Sequence, residues 1–309
     1  MSAFTERGHT RAQLRGYSIV PMLTPFTTEG RLDEPAVARI VGNVIAGGCQ
    51  GLMVCGTTGE FASMTVSMRI RTVELAVAAA AGRAVIFGGI GDTSPAHSIT
   101  LAHGFLAEGA DAVVANLPSY YPLTPAMMES YFVGLADAID GPLYLYNIPQ
   151  TTRQSIPFDV ISRLSTHLRI AGIKDSEPDG ARQEQLCALF ANRSDFAVFC
   201  GSVAFTSRAM RAGADGFVPG AGNFAPALMR RLMDELVSGN PAADETQRQI
   251  DALNAVYQKD RTIGQVLAVM KAIMEMRGLC GRAMLPPLTT ADESDVAGVR
   301  AQLGSMEVA

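Results

Sequence analysis

The sequence predicts an α/β protein with a (β/α)8 TIM barrel and a C-terminal helical appendage. Eight short apolar runs alternate with longer segments that begin with helix-capping residues, which is the pattern of repeated βαβ units. The runs are apolar on both faces, as in parallel strands that are covered on both sides. No GxGxxG motif follows the first run, and this disfavours an open, dinucleotide-binding sheet built from the same units.

The predicted strands are 18–24, 51–55, 84–90, 111–117, 142–148, 169–175, 196–202 and 215–220. The segments between them begin like helices, because an oxygen-bearing cap residue stands at the start. Asp33 is two residues before a proline, and Thr124 is directly before one, which suits the first turn of a helix. Thr65 marks the start of a third such segment. Right-handed crossovers are expected between successive strands.

The strand signals stop after residue 238, and the helical patterns that follow are 241–258, 263–278 and 291–303. We therefore expect a barrel with a short N-terminal extension over 1–238 and a C-terminal helical region over 239–309. The length of 309 residues suits one barrel of roughly 250 residues with an addition.

Composition and charge exclude several classes of function. The chain is 48% hydrophobic, its formal net charge is −5 and its pI is about 5.4. Because no basic stripe is present, a nucleic-acid partner is not expected. No run approaches the roughly 18 apolar residues of a membrane span, so no membrane partner is expected either. The polar N-terminus, MSAFTERGHTRAQLRG, lacks the apolar core of a signal peptide.

Cysteines and histidines give no sign of a disulfide framework or a metal site. The four histidines do not pair, and the five cysteines have neither metal-ligand nor CxxC spacing. We therefore expect a cytoplasmic protein of a reducing compartment, with no metal and no organic cofactor. The cysteines are Cys49, Cys55, Cys187, Cys200 and Cys280.

Lys174 is the sharpest chemical signal. It ends the sixth predicted strand, and catalytic groups of barrels lie at such strand ends. The other lysines, Lys259 and Lys271, fall in the helical tail, where solvated lysines are ordinary. A lysine near a core loses hydration, which disfavours its charged form, and a neutral amine attacks ketones. The alternative is a strand-end lysine that pairs with Asp175 or Glu177.

Further polar groups stand at neighbouring strand ends. The turn GTTGE at 56–60 offers backbone N–H groups and the hydroxyls of Thr57 and Thr58, which can hold a carboxylate. A glycine-rich βα turn without a ligand is the alternative. Tyr146 ends the fifth strand and is either a core tyrosine or, beside an amine nucleophile, a proton shuttle.

Together, these motifs resemble the dihydrodipicolinate synthase and N-acetylneuraminate lyase family of class I aldolases. The resemblance covers roughly 16–288 and rests on the order and spacing of five motifs. It implies a barrel with a helical C-terminal region, usually a homotetramer. The motifs are GTTGE at 56–60, PSYY at 118–121, YNIP at 146–149, GIKDS at 172–176 and GADGFVPGAGN at 213–223.

The resemblance also implies roles for single residues. Lys174 would form a Schiff base with a 2-keto acid, and Tyr146 would relay protons at the bound keto acid. Thr57 and Thr58 would hold the carboxylate of pyruvate. Tyr120 would enter the site of a neighbouring subunit beside Thr57, or Tyr121 would do so if the loop is aligned with a shift of one. The further residues placed near the substrate are Gly56, Gly201 and Val218.

Two departures from the family pattern bear on the substrate. Dihydrodipicolinate synthases have an arginine, for the carboxylate of their aldehyde substrate, where this chain has Thr151, with Arg153 two residues on. Sialic acid lyases have acidic residues where Val203 and Ala204 follow Gly201. The resemblance then points to a 2-keto-3-deoxy sugar acid or a related 2-keto acid.

We therefore expect a Schiff-base lyase that makes or breaks a C–C bond between pyruvate and an aldehyde. One alternative keeps the imine but ends in dehydration of a keto-deoxy sugar acid, and another is dihydrodipicolinate synthesis. A third is a non-catalytic relative that only binds 2-keto acids, since a fold does not fix a function.

Overall fold

The computed structural model describes residues 9–304, which contain a closed barrel of eight parallel strands. Neighbouring strands pair in sequence order, and the last strand pairs with the first. The predicted (β/α)8 TIM barrel with C-terminal helices is confirmed. The strands are β1 (Tyr17–Pro21), β2 (Gly51–Val54), β3 (Val85–Gly89), β4 (Ala112–Asn116), β5 (Leu143–Asn147), β6 (Ile170–Asp175), β7 (Ala197–Cys200) and β8 (Gly216–Phe217).

One short helix precedes β1, and further helices follow the strands around the outside of the barrel. They are α1 (Arg11–Leu14), α2 (Glu34–Ala46), α3 (Val66–Ala80), α4 (Pro95–Ala107), α5 (Pro125–Ala138), α6 (Pro149–Thr152), α7 (Phe158–Leu164), α8 (Gly180–Leu189), α9 (Thr206–Arg211) and α10 (Pro226–Ser238). The helices α11 (Ala243–Gln258), α12 (Ile263–Met276) and α13 (Glu293–Gly304) come after them. The division into a barrel over 1–238 and a helical region over 239–309 stays a prediction. Residues 1–8 of the first region and 305–309 of the second lie outside the described residues.

The predicted helix starts are confirmed by their caps. Side-chain oxygens of Asp33, Thr65 and Thr124 accept hydrogen bonds from backbone N–H groups three residues later, at 3.2, 3.2 and 3.3 Å. Each bond satisfies an N–H group that the first turn of a helix leaves without a partner. These caps fix where α2, α3 and α5 begin after the preceding strand-end loops.

Aromatic side chains fill the interior of the barrel. The ring centroids of Phe87 and Tyr144 lie 5.2 Å apart, and those of Phe87 and Phe199 lie 6.2 Å apart, both edge to face. This packing closes the barrel below its mouth, as in other barrels of this kind. A ligand can therefore reach the barrel residues from the C-terminal strand ends.

The C-terminal helices pack on the barrel near β8. Tyr257 of α11 packs edge to face on Phe224, with centroids 5.5 Å apart. Gln247 of the same helix accepts a hydrogen bond from the Ser207 hydroxyl of α9 at 2.9 Å. These contacts bring α11 beside the strand ends, and α12 packs against α11. Within residues 9–304, none of the helices has the length and apolar character needed to cross a bilayer.

Candidate active site

The alternation of side chains along β6 places Lys174 inside the barrel. Gly172 and Lys174 share the inner face, because neighbouring residues of a strand point to opposite sides. A Cβ atom on Gly172 would lie 2.7 Å from a ring carbon of Tyr144, so glycine makes room for that ring one layer below Lys174. Ile173 and Asp175 face the surrounding helices.

The amine of Lys174 is buried against sulfur and an aromatic ring. The residue is 7% exposed, and its Nζ lies 3.4 Å from Met53 Sδ and 4.1 Å from the centroid of the Tyr146 ring. Lys174 and Tyr146 are paired in register on β6 and β5. The two residues that the sequence singled out for covalent chemistry and proton transfer are therefore neighbours.

The carboxylates that follow Lys174 in the chain are held by another cation. Arg182 Nε lies 2.8 Å from Asp175 Oδ2 and 3.2 Å from Glu177 Oε2. The Asn147 amide donates to the same two side chains at 3.0 and 2.9 Å. Burial raises the pKa of Asp175, and the charge of Arg182 opposes that effect. The alternative in which Lys174 pairs with Asp175 or Glu177 is therefore wrong.

A cavity of about 610 Å³ opens at the mouth of the barrel, a volume within the usual range of small-molecule sites. Six of the eight residues predicted from the sequence line it. They are Thr57, Thr58, Tyr146, Lys174, Gly201 and Val218. The strand ends that the sequence indicated thus converge on one space.

The turn after β2 presents two hydroxyls to this cavity. Thr57 begins a 3₁₀ turn that Thr58 continues, and the turn is closed by the bond from Glu60 N to Thr57 O, at 3.1 Å. Neither threonine hydroxyl has a hydrogen-bond partner in the part of the chain that the structure describes. Two hydroxyl donors therefore stand available to a ligand beside Lys174.

Two predicted residues lie away from the cavity lining. Gly56 sits below the turn, where an added Cβ would be 3.1 Å from Met53 Cε. Tyr120 is 77% exposed on the loop between β4 and α5, and its ring contacts that of Tyr121 with centroids 5.0 Å apart. Neither aromatic ring enters the cavity of its own chain. Their predicted role at a neighbouring subunit's site stays a prediction.

The sequence did not predict the side of the cavity that the helical region forms. We call this side the helical wall, and its polar residues are Asp251, Asn254, Gln258, Lys259 and Arg261. Strand-end reasoning cannot find them, because they lie on and after α11 and reach the mouth only through tertiary packing. Met53 was also missed. Its position next to the last residue of β2 could have indicated that it lies near the site.

The expectation that Lys271 is a solvated lysine is wrong. Lys271 is fully buried and forms a salt bridge with Glu60, which is buried as well. The position of α12 against the turn after β2 brings the two side chains together, and the sequence gives no local sign of that contact. Among residues 9–304, no three His, Cys, Asp or Glu side chains are grouped as metal ligands would be.

A buried lysine at the mouth of a closed parallel barrel, where barrel enzymes have their active sites, fits the class of enzymes that form a Schiff base with a carbonyl substrate. The family model described as the Dihydrodipicolinate synthetase family matches residues 14–305. The chain belongs to this family. The predicted family and the predicted enzyme class, a class I lyase, are therefore confirmed.

Several relatives show the range within the family. The chain is 33% identical to a 4-hydroxy-tetrahydrodipicolinate synthase of Mycolicibacterium gilvum over 279 residues, 90% of each chain. It is 30% identical to the probable 2-dehydro-3-deoxy-D-pentonate aldolase YjhH of Escherichia coli, covering 89% of this chain and 92% of that one. The structure of E. coli YagE, a family member in complex with pyruvate, superimposes with a TM-score of 0.90 at 27% identity, covering 95% and 99% of the two chains.

Gly201 is required by the space around Lys174, and replacing it tests the packing of the site. A Cβ atom at this position would lie 2.0 Å from Ser176 Oγ and 3.1 Å from Lys174 Cε. We expect Gly201→Ala to lower the free energy of unfolding by about 1–3 kcal/mol, the usual cost of overpacking. Gly42→Ala on α2 is the control, because nothing lies within 4 Å of the added atom. Urea denaturation measures both, and we expect Gly42→Ala to be at least as stable as the wild type, because alanine favours a helix interior. A Gly201→Ala variant as stable as the wild type would contradict the described packing.

Proposed function

We propose that the protein is a class I aldolase that joins or releases pyruvate at a 2-keto-3-deoxy sugar acid through a Schiff base on Lys174. One observation carries the proposal. The Lys174 amine is buried at the barrel mouth beside Tyr146, and the nearby carboxylates of Asp175 and Glu177 form salt bridges with Arg182. Nucleophilic attack needs the neutral amine, and a carboxylate in contact would favour the ammonium form instead.

In the proposed reaction, Lys174 Nζ adds to the ketone carbon of the keto acid and water leaves, which gives an iminium. Tyr146 takes the proton of the C4 hydroxyl. The C3–C4 bond then breaks and an aldehyde departs. The electron pair of the broken bond passes into the iminium and forms an enamine. Protonation at C3 and hydrolysis release pyruvate and restore the amine. The reverse sequence forms the bond.

The turn after β2 supports the proposed binding of the pyruvate carboxylate. Thr57 and Thr58 present hydroxyl donors to the cavity that holds Lys174, and such donors can hold a carboxylate. We assign Gly201 and Val218, which line the cavity, to the backbone close to the substrate, and Gly56 to substrate binding through the threonine turn that it begins. This assignment follows the family motifs together with the lack of space for a side chain at 201.

The helical wall supports a hydroxylated substrate. Asn254 uses its carbonyl oxygen to accept from the Tyr257 hydroxyl at 2.6 Å, so its amide N–H groups remain for a ligand. Asp251 accepts from Gln247 at 2.9 Å, and burial raises the pKa of the Asp251 carboxyl. A wall of amide donors and carboxylate acceptors suits a chain of hydroxyls, because each hydroxyl both donates and accepts.

Dihydrodipicolinate synthesis is the second candidate. Its support is the 33% identical synthase and the two cations of the helical wall, Lys259 and Arg261, which could meet the carboxylate of an aldehyde. Arg261 already bonds to Asp295 at 2.8 Å. Neither Thr151 nor Arg153 lines the cavity, so the loop after β5 supplies no arginine there. We therefore favour the sugar acid.

We also propose a cytoplasmic homotetramer in which Tyr120 reaches the site of a neighbouring subunit. All five cysteines are free and buried, which suits a reducing compartment. Tyr120 and Tyr121 are 77% and 70% exposed, and Met127 on the following helix is 55% exposed. Large exposed side chains of this kind, close together in the chain, suit burial between subunits.

A substrate panel tests the proposed function. We expect the protein to release pyruvate from 2-keto-3-deoxy sugar acids, measured by coupled reduction of the pyruvate, and to do so faster than it condenses pyruvate with a carboxylate-bearing aldehyde. Lys174→Arg should abolish both reactions, because a guanidinium does not attack a ketone. A product that keeps the whole carbon skeleton minus water would show a dehydratase instead, and no turnover with any substrate would contradict the proposal.

Tyr146→Phe tests the proposed proton relay against a matched control. Removing the phenol should lower kcat by about 10²–10⁴-fold, the usual contribution of general acid–base catalysis. Tyr144→Phe makes the same chemical change two residues earlier on β5, inside the packed barrel, where Tyr144 is 4% exposed. We expect that control to keep kcat within a few-fold of the wild type. Equal losses in the two variants would contradict a specific role for Tyr146.

A further inference from the structure

A buried salt bridge joins the turn of Thr57 and Thr58 to the C-terminal helices. Glu60 ends that turn, Lys271 lies on α12, and both side chains are fully shielded from solvent. The reaction proposed above uses neither residue. The pair therefore needs another explanation.

The pair gathers three separate segments at one point. Lys271 Nζ donates to the backbone oxygen of Ala283 at 2.7 Å and lies 4.3 Å from the centroid of the Phe26 ring. The other carboxylate oxygen of Glu60 accepts from Leu285 N at 3.2 Å. The turn after β2, helix α12 and the 283–285 segment are thus fixed to one another.

Stability alone is a weak reason for such a pair. Burial raises the pKa of Glu60 and lowers that of Lys271, while their mutual attraction acts in the opposite direction. Replacing a buried ion pair by apolar side chains of similar size is often neutral or stabilising, whereas removing one partner is strongly destabilising. A role in geometry is the better explanation for keeping both charges.

The backbone of Glu60 shows how the pair acts on the turn. Its φ is +58°, in the left-handed region that non-glycine residues seldom occupy. Glu60 ends the 3₁₀ turn Thr57–Gly59 and begins the next, Phe61–Ser63. The carboxylate contacts hold this uncommon conformation from outside the turn, so the direction of the threonine backbone depends on them.

The same helix that supplies Lys271 also lines the cavity. Val266, Leu267 and Met270 of α12 face the space in front of Lys174. The salt bridge therefore sets the distance between two sides of one cavity, the threonine turn and the apolar face of α12. A shift of either side would change the fit of a ligand held between them.

We propose that Glu60 and Lys271 are positioning residues that align the Thr57–Thr58 turn with the carboxylate of a keto acid bound at Lys174. This inference rests on the proposed function. It makes a specific demand: the pair should matter for recognition of the carboxylate and not for the reactivity of the lysine. A ligand that keeps the ketone but lacks the negative charge should react with Lys174 at the same rate whether or not the pair is present.

The test compares pyruvate with pyruvamide, its neutral amide, as ligands trapped on the protein by cyanoborohydride. Glu60→Gln, Lys271→Met and the double variant are each measured with both ligands at several concentrations, and thermal midpoints are recorded alongside. We expect the preference of the trapping rate for pyruvate to fall about 10- to 100-fold in all three variants, the worth of hydrogen bonds to a charged group. We expect the double variant to regain most of the midpoint that the single variants lose.

Asp215→Asn is the matched control. Arg11 Nε lies 2.9 Å from both carboxylate oxygens of Asp215, in a partly buried pair at the opposite end of the barrel. This variant should lose stability and keep the preference for pyruvate. The inference would be overturned if the Glu60→Gln, Lys271→Met double variant regained the preference for pyruvate together with its thermal midpoint. It would also be overturned if the Glu60 and Lys271 variants never lost that preference.

Two results separate the inference from the function on which it rests. A wild-type protein with no preference for pyruvate over pyruvamide contradicts the proposed carboxylate site itself. A wild-type preference that persists in Glu60→Gln contradicts only the role of the pair. Should the double variant fail to fold, the preference of Glu60→Gln for pyruvate is measured at a temperature below the thermal midpoint of that variant. This variant keeps the shape of the side chain, so its result is sufficient.

Discussion

The separation of one amine from the carboxylates beside it in the chain is the constraint on which the site depends. Lys174 and Asp175 are adjacent, yet the pleat of β6 sends them to opposite faces of the sheet. Arg182 then neutralises the outer carboxylate at 2.8 Å, which leaves the inner amine against Met53 and the ring of Tyr146. Without Arg182, a buried and unpaired carboxylate would stand one residue from the amine, at a large cost in stability.

The barrel and the helical region build the site together. The barrel supplies the reactive groups, and α11 and α12 supply the opposite side of the cavity. The buried contact between Glu60 and Lys271 couples these two parts, so the helical region also bears on the geometry of the strand-end turn.

Much of the fold and the strand-end side of the cavity could be predicted from the sequence, because both depend on local patterns. Capping residues and apolar runs mark the elements, and the ends of parallel strands must meet at one mouth. Lys174, Tyr146 and Thr57 follow from that rule. Lys271 does not, since its burial arises from a tertiary contact with a carboxylate more than two hundred residues earlier. Asn254 and the rest of the helical wall were missed for the same reason.

Chemical trapping identifies which lysine forms the imine, and thereby decides whether Lys174 is the nucleophile. The protein would be incubated with pyruvate and borohydride, digested, and mapped by mass spectrometry. The chain has three lysines, so the outcome is unambiguous. We expect a reduced pyruvate adduct on Lys174 and none on Lys259 or Lys271. An adduct on either of those two, or an unmodified chain, would contradict this role of Lys174.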